Sequence, residues 1–179
     1  MNHMSTLTII LLVIGGIIVL FLLVALFTRK SYTVQQDMII NAPLQKVFDY
    51  LKFIKNQDHF NKWVMVDPSM KKDFSGTDGT PGFIYAWNGN KKAGAGGLEL
   101  TAIRERQKIE TEIRFIRPFA GIAKADFTTE PLSDNLTKVT WSNASKMKIP
   151  MNIMVSMIEK MLAKDMVESL NNLKTILEK

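Results

Sequence analysis

His59, Asp67 and Tyr85 are the side chains whose type best suits moving a proton. His59 is the only histidine after residue 3 of this 179-residue chain. One imidazole without cysteines cannot build a standard zinc site. It can act as acid or base, and equally as a solvated surface residue. Two of these groups would have to converge within hydrogen-bond reach of one point to support acid–base chemistry. The chain has no cysteine, which excludes disulfides, thiolate metal sites, a cysteine nucleophile and lipidated cysteines. GxSxG, HExxH and P-loop patterns are absent. Gly94-Ala95-Gly96-Gly97 lacks the phosphate-loop spacing and the Lys-Ser or Lys-Thr that would follow it. It reads as a strand that bends, or as one passed closely by another backbone. No cofactor and no metal is expected, and no arginine-rich run or motif points to nucleic acid.

Apolar and aromatic residues carry a stronger signal. Alternation places Phe83, Tyr85 and Trp87, Leu98 and Leu100 with Ala102, Ile113 with Phe115, Ala123 with Ala125 and Phe127, and Trp141 with Asn143 on inward parity. Glu110, Glu112 and Arg114 fall on the outer, wet face as cross-strand charge pairs. Tyr85 and Asn143 are polar tips in an apolar wall: orienting groups of a pocket, or hydrogen-bonded core residues. Methionine suits walls that adapt to varied apolar ligands, and alanines opposite leave room. The candidate ligand-binding set is therefore Trp63, Phe83, Tyr85, Trp87, Leu100, Ile113, Phe115, Ala125, Phe127, Trp141, Asn143, Met154, Met157, Ile158 and Met161.

These side chains need elements to hold them. Met151–Leu177 has apolar residues every three to five positions, through Met154, Met157, Ile158, Met161, Met166, Leu170, Leu173 and Leu177, with Pro150 at its start. It reads as one long amphipathic helix. Ser31–Ile40 alternates as a first strand. Asn41-Ala42-Pro43 opens a helix with inner face Val47, Phe48 and Leu51, Asn41 its candidate cap, and Asn56–Val64 reads as a second short helix. Strands follow near Lys71–Phe74, Gly82–Trp87, Lys92–Arg104, Ile109–Ile116, Gly121–Thr129 and Thr137–Asn143. Asn88-Gly89 is the strongest hairpin signal, and Pro131–Asn135 reads as a turn. The fold class is α+β, about six to seven antiparallel strands whose apolar face receives the C-terminal helix.

Leu7–Phe27 carries no charge, and 17 of its 21 residues are Leu, Ile, Val or Phe. That length matches the ~30 Å hydrocarbon core, so it reads as a retained single-pass anchor and not as a cleaved signal peptide. The expected layout is a short tail over 1–6, a span over 7–27, a linker over 28–31 and a domain over 32–179. Arg29 and Lys30 follow the span and no Lys or Arg precedes it, which places the domain on the cytoplasmic side of the cell membrane. The net charge of +6 lies wholly after Thr28; it suits an anionic membrane surface or an ordinary basic exterior.

The strand before Asn41-Ala42-Pro43, the Val47-Phe48-Asp49-Tyr50-Leu51 helix, Asn61-Lys62-Trp63, a glycine-rich hairpin ending in Phe83-x-Tyr85-x-Trp87, Thr137-Lys138-Val139-Thr140-Trp141 and the long last helix together resemble the START-like (SRPBCC) superfamily. The polyketide cyclase/dehydrase-type branch is the nearest in pattern. The resemblance covers about residues 32–179 and implies a helix-grip fold, a curved antiparallel sheet wrapped on the C-terminal helix around a hydrophobic cavity. It implies a small hydrophobic partner, lipid- or polyketide-like. It also leaves open a cyclase- or hydrolase-type enzyme using His59, Asp67 or Tyr85, or a ligand-free interaction module. The family has no universal catalytic residue to carry over, and the N-terminal span departs from its usual soluble members.

Overall fold

The computed structural model describes residues 5–179; the expected tail falls outside it up to residue 4. Helix α1, Thr6–Phe27, is capped by Ser5, whose hydroxyl accepts from the Thr8 amide at 3.2 Å. It is long and apolar enough to cross a membrane, and only Ala25, in its last turn, is buried. The chain then forms β1 (Ser31–Ile40), α2 (Leu44–Lys52), a 3₁₀ turn (Ile54–Asn56), α3 (Gln57–Phe60) and α4 (Lys62–Met65). Strands β2 (Lys71–Ser75), β3 (Ile84–Asn88), β4 (Ala95–Arg104), β5 (Lys108–Arg117), β6 (Gly121–Ser133) and β7 (Leu136–Lys146) follow. A 3₁₀ turn, Met151–Met154, leads into α5, Val155–Leu177.

All seven strands make one antiparallel sheet in the order β1-β7-β6-β5-β4-β3-β2. Strands β2 to β7 form a meander, and β1 closes against its last member. This is the helix-grip arrangement. Val34, Ile40, Leu100, Ile109, Phe127, Val139 and Trp141 on the inner face pack with Val47, Phe48 and Leu51 of α2 and with Met166, Leu170, Leu173 and Leu177 of α5. The outer face carries ion pairs, as its parity requires: Arg114 to Glu99 and Glu112, each at 2.6 Å, and Lys108 to Asp126 at 2.8 Å.

Several expectations from sequence are corrected. Helix α5 buries Val155, Met166, Leu170, Leu173 and Leu177, whereas Met157 and Met161 are 58% and 52% exposed. The reason is angular: at about 100° per residue, Met161 lies half a turn from Leu170 after nine residues. Steps of three to five drift round the helix unless threes and fours alternate. The second short helix is broken at Asn61, whose extended backbone ends α3 while its side-chain oxygen caps α4 through the Trp63 amide. Asn41 does not cap α2; Pro43 occupies that place, and the Asn41 amide donates to Glu178 at 2.6 Å.

The Asn88-Gly89 turn is a longer loop, because the Asn90 side chain accepts from the Lys92 and Ala93 amides, so β4 starts at Ala95 and not at Lys92. Pro131 lies inside β6 at an irregularity before Ser133, where a missing donor is tolerated. A bulge between Leu100 and Ala102 switches the parity of β4, so Ile103, not Ala102, packs against the core.

The glycine run of β4 fits its structural reading. A Cβ on Gly96 would lie 2.6 Å from the Arg114 carbonyl oxygen and 2.7 Å from the Trp87 ring. Gly94 has φ +67° and faces the Arg117 carbonyl. Chemical denaturation should therefore show Gly96→Val destabilised by roughly 1–3 kcal/mol from overpacking, and Leu170→Ala by roughly 2–5 kcal/mol from the cavity it leaves. Met161→Ala, on the opposite side of α5, should stay within about 0.5 kcal/mol; a Met161 loss equal to that of Leu170 would contradict the observed face.

Candidate functional site

The inner face is built row by row from the strand register. Asn143 stands between Val34 of β1 and Ala125 of β6, and Ser145 stands beside Ala123. Two residues before Asn143, Trp141 stacks on Phe127 with ring centres 4.8 Å apart and meets the edge of Trp63 at 5.5 Å. Phe60 of α3 completes this group, edge-on to Phe127 at 6.3 Å. Trp63 is carried by the four-residue helix α4, which is tied to α5 by polar contacts that include a Lys62–Glu168 ion pair. The Trp63 indole donates to Asp165 at 3.1 Å, the Lys62 amide donates to the Ser169 hydroxyl at 3.0 Å, and the Lys62 ammonium pairs with Asp165 at 3.1 Å.

Trp141 Nε1 and Asn143 Oδ1 are buried and have no hydrogen-bond partner among the described residues. They sit on one face of one strand, about 7 Å apart along it. A buried polar group without a partner costs about 1–3 kcal/mol. Beside them β6 sets Phe127 against Trp141 and Ala125 against Asn143, with Ala123 next along, and none of these side chains carries a donor or acceptor. The arrangement leaves one N–H and one carbonyl oxygen unpaired in otherwise apolar surroundings.

The other expected residues separate into two further groups. Phe83 stacks with Phe74, which meets Tyr85 edge-on at 5.1 Å, and Lys55 lies 4.4 Å over the Phe74 ring. Trp87 meets Phe115 at 6.2 Å and donates to the Ala93 carbonyl at 3.1 Å. Phe115 is 37% exposed, near the end of its strand, and not an inward wall. Leu100 is fully buried, while Ile113, Met154 and Ile158 are half-buried. Met157 and Met161 point outward, so the first turns of α5 present Val155 and Leu162 to the core instead. Two concavities of the described residues lie outside the inner face. One, of about 450 Å³, is lined by Lys30, Lys146, Met147, Lys148 and Ile149. The other, of about 290 Å³, lies among outer-face groups including Lys108, Glu110 and Asp126.

The three candidate acid–base groups have separate employment. Asp67 accepts from the Ser69 hydroxyl at 2.7 Å and the Asn90 amide at 2.7 Å, and these bonds hold its carboxyl below the usual range. It pins the β3–β4 loop. His59 is exposed on α3. Tyr85 donates to Asp58 at 2.7 Å, and Asp58 pairs with Lys72 at 2.8 Å. Burial first, and then the Asp58 carboxylate, push the Tyr85 hydroxyl well above its ordinary value. Neither Asp58 nor Lys72 stood out in the sequence, because nothing local marks an aspartate on a four-residue helix as the partner of a tyrosine two strands away.

A family profile described as polyketide cyclase/dehydrase and lipid transport matches residues 31–178. The chain belongs to that family. Solved structures share its fold at low identity. Truncated norcoclaurine synthase from Thalictrum flavum aligns over 85% of this chain and 97% of its own, with TM-score 0.64 and 11% identity. A protein from Mesorhizobium loti aligns over 82% and 97%, with TM-score 0.60 and 16% identity. One from Chromobacterium violaceum aligns over 82% and 97%, with TM-score 0.59 and 13% identity. No curated protein matched the sequence.

Burial raises all three tyrosines, Tyr32, Tyr50 and Tyr85, above their ordinary value. The unfolded chain therefore releases these protons at lower pH than the folded one does. Their contribution to stability is full below about pH 10 and is lost as pH rises beyond it. Absorbance titration of the phenolates should find none of the three ionising at the free-tyrosine value while the fold persists. Tyr85→Phe should cost about 1.5–3 kcal/mol, the range for a hydrogen bond to a charged group.

Proposed function

We propose that this chain is a membrane-anchored ligand-binding member of its family. It takes a small, largely apolar molecule with one polar head into the space between α5 and the inner face of β6 and β7. One observation carries the reading: the buried Trp141 N–H and Asn143 carbonyl without partners, beside the two alanines of β6. Such a pair suits a head that accepts one hydrogen bond and donates another, as a hydroxyl or a protonated carboxyl does. Trp63, Ala125, Phe127 and Trp141 supply the apolar wall, with Met154 and Ile158 at its edge. Access runs beneath α4, whose Trp63 covers Trp141. Helix α1 serves as the span and keeps the domain where apolar molecules dissolve; Arg29 and Lys30 favour the cytoplasmic side.

The test is mass spectrometry of what co-purifies with detergent-extracted protein, followed by thermal shifts of delipidated protein against apolar alcohols and acids. A ligand at 100 times its Kd should add about 2.7 kcal/mol of stability. Trp141→Phe keeps the ring and removes the donor. Without ligand its stability should be unchanged or raised, because an unpaired buried N–H is gone, while affinity should fall roughly two- to tenfold for one lost hydrogen bond. No co-purified molecule and no shift with any probe would sink the proposal. That result would favour a second reading, an interaction module with a filled interior, which the packing of Trp63, Trp141, Phe127 and Phe60 supports.

A further inference from the structure

The antiparallel meander gives the domain two unlike ends. At one end lie the start of β1, the α4–β2 loop, the β3–β4 loop, the β5–β6 tip and the β7–α5 connection; this is also where α1 joins. Leaving aside Arg29, which pairs with Glu159, the connections and strand ends here carry Lys30, Lys91, Lys92, Arg117, Lys146 and Lys148. Their one acid, Asp67, is buried and engaged by Ser69 and Asn90. At the opposite end the turns and strand ends carry Asp78, Glu105 and Asp134 against Arg104, Arg106 and Lys108, which balance. The basic excess of the chain is therefore polarised toward the foot of α1.

Apolar side chains stand exposed among these cations. Ile116, Phe119 and Ile122, at and beside the β5–β6 tip, are each more than half exposed, and Ile149 is exposed in the β7–α5 connection. The tip lies three strands from β1, about 15 Å to the side of where α1 leaves the sheet. Helix α1 is tied to this end. The Asn152 side chain, fully buried, donates to the carbonyls of Ala25 at 2.7 Å and Thr28 at 2.9 Å, and the Met147 amide donates to the Lys30 carbonyl at 2.7 Å. Between these anchors the concavity of about 450 Å³ is lined by Lys30, Lys146 and Lys148 with Met147 and Ile149.

We infer that this end of the domain docks on the bilayer that α1 crosses. The β5–β6 tip and Ile149 sink among acyl chains, while Lys30, Lys146 and Lys148 seat the phosphate of an anionic phospholipid. The inference rests on the reading of α1 as a span. Exposed apolar tips set between basic residues are what an interfacial surface requires, since the former enter the acyl boundary and the latter meet anionic headgroups. Docking fixes which edge of the sheet, and so which route to Trp141 and Asn143, faces the lipid.

The chain has no cysteine, so single labelling sites can be introduced into the full-length protein. Ala120→Cys at the tip and Asp134→Cys at the far end, each carrying an environment-sensitive fluorophore, would be placed in nanodiscs. The discs would be of phosphatidylcholine alone or mixed with phosphatidylglycerol, with spin-labelled lipid as quencher. Quenching is expected at Ala120 and not at Asp134, and it should strengthen with phosphatidylglycerol. Each lysine near an anionic surface shifts the docked population about fivefold. Lys30→Gln, Lys146→Gln and Lys148→Gln together should therefore remove the phosphatidylglycerol effect, while Phe119→Ser with Ile122→Ser should lower quenching on both kinds of disc. Equal quenching at the two positions, or no response to phosphatidylglycerol, overturns the docking. Retention on the discs through an alkaline carbonate wash reports the span separately: a released chain overturns the span reading itself.

Discussion

The structure depends on one apolar line. Val155, Met166, Leu170, Leu173 and Leu177 of α5 have no buried surface of their own and must lie across the inner face of the sheet. That demand sets the strand parity, because only one face can be apolar where the helix crosses. It also sets the position of α2, whose Val47, Phe48 and Leu51 complete the same core. The bulge in β4 and the irregularity in β6 change parity or direction locally without breaking the sheet.

Such a helix covers the sheet unevenly. Toward its C-terminus leucines meet Ile40 and Val139, and the contact is closed by carbon alone. Toward its N-terminus the sheet offers Ala123, Ala125, Trp141 and Asn143, and α4 brings Trp63 against Trp141. Trp141 Nε1 and Asn143 Oδ1 are left unpaired there, as Asn152 Oδ1 is at the foot of α1, whereas the other buried side-chain polar atoms among the described residues have partners. The acid–base candidates lie elsewhere and are spent on structure. Tyr85 is held neutral by burial and by Asp58, and Asp67 is consumed by a loop. The geometry thus supports binding more directly than proton transfer.

A second asymmetry runs along the strands. Because each hairpin returns the chain, alternate loops gather at the same end, and the composition of those loops becomes a property of a surface. Lysines far apart in sequence, at positions 30, 91, 92, 146 and 148, meet at the foot of α1. The buried Asn152 ties that foot to the first turn before α5, so α1 and α5 share one anchor.

The sequence by itself determined the elements and the fold class. Period-two alternation located every strand within a few residues, the uncharged apolar run located α1, and the order of motifs pointed to the helix-grip fold, since these signals are local and each strand face or helix side repeats them. The inward set Phe83, Tyr85, Leu100, Phe127, Trp141 and Asn143 was legible for the same reason. Only the tertiary structure decided the face of α5. Its methionines and leucines surround more than half of the helix, and packing against the sheet chose Leu162 and Met166 over Met157 and Met161. It alone decided the pairing of Asp58 with Tyr85, of Asp67 with Asn90 and of Asn152 with Ala25, which lie tens of residues or more apart. Periodicity says which way a side chain points; which group it meets there depends on how distant segments are brought together, and that is fixed only when the chain closes on itself.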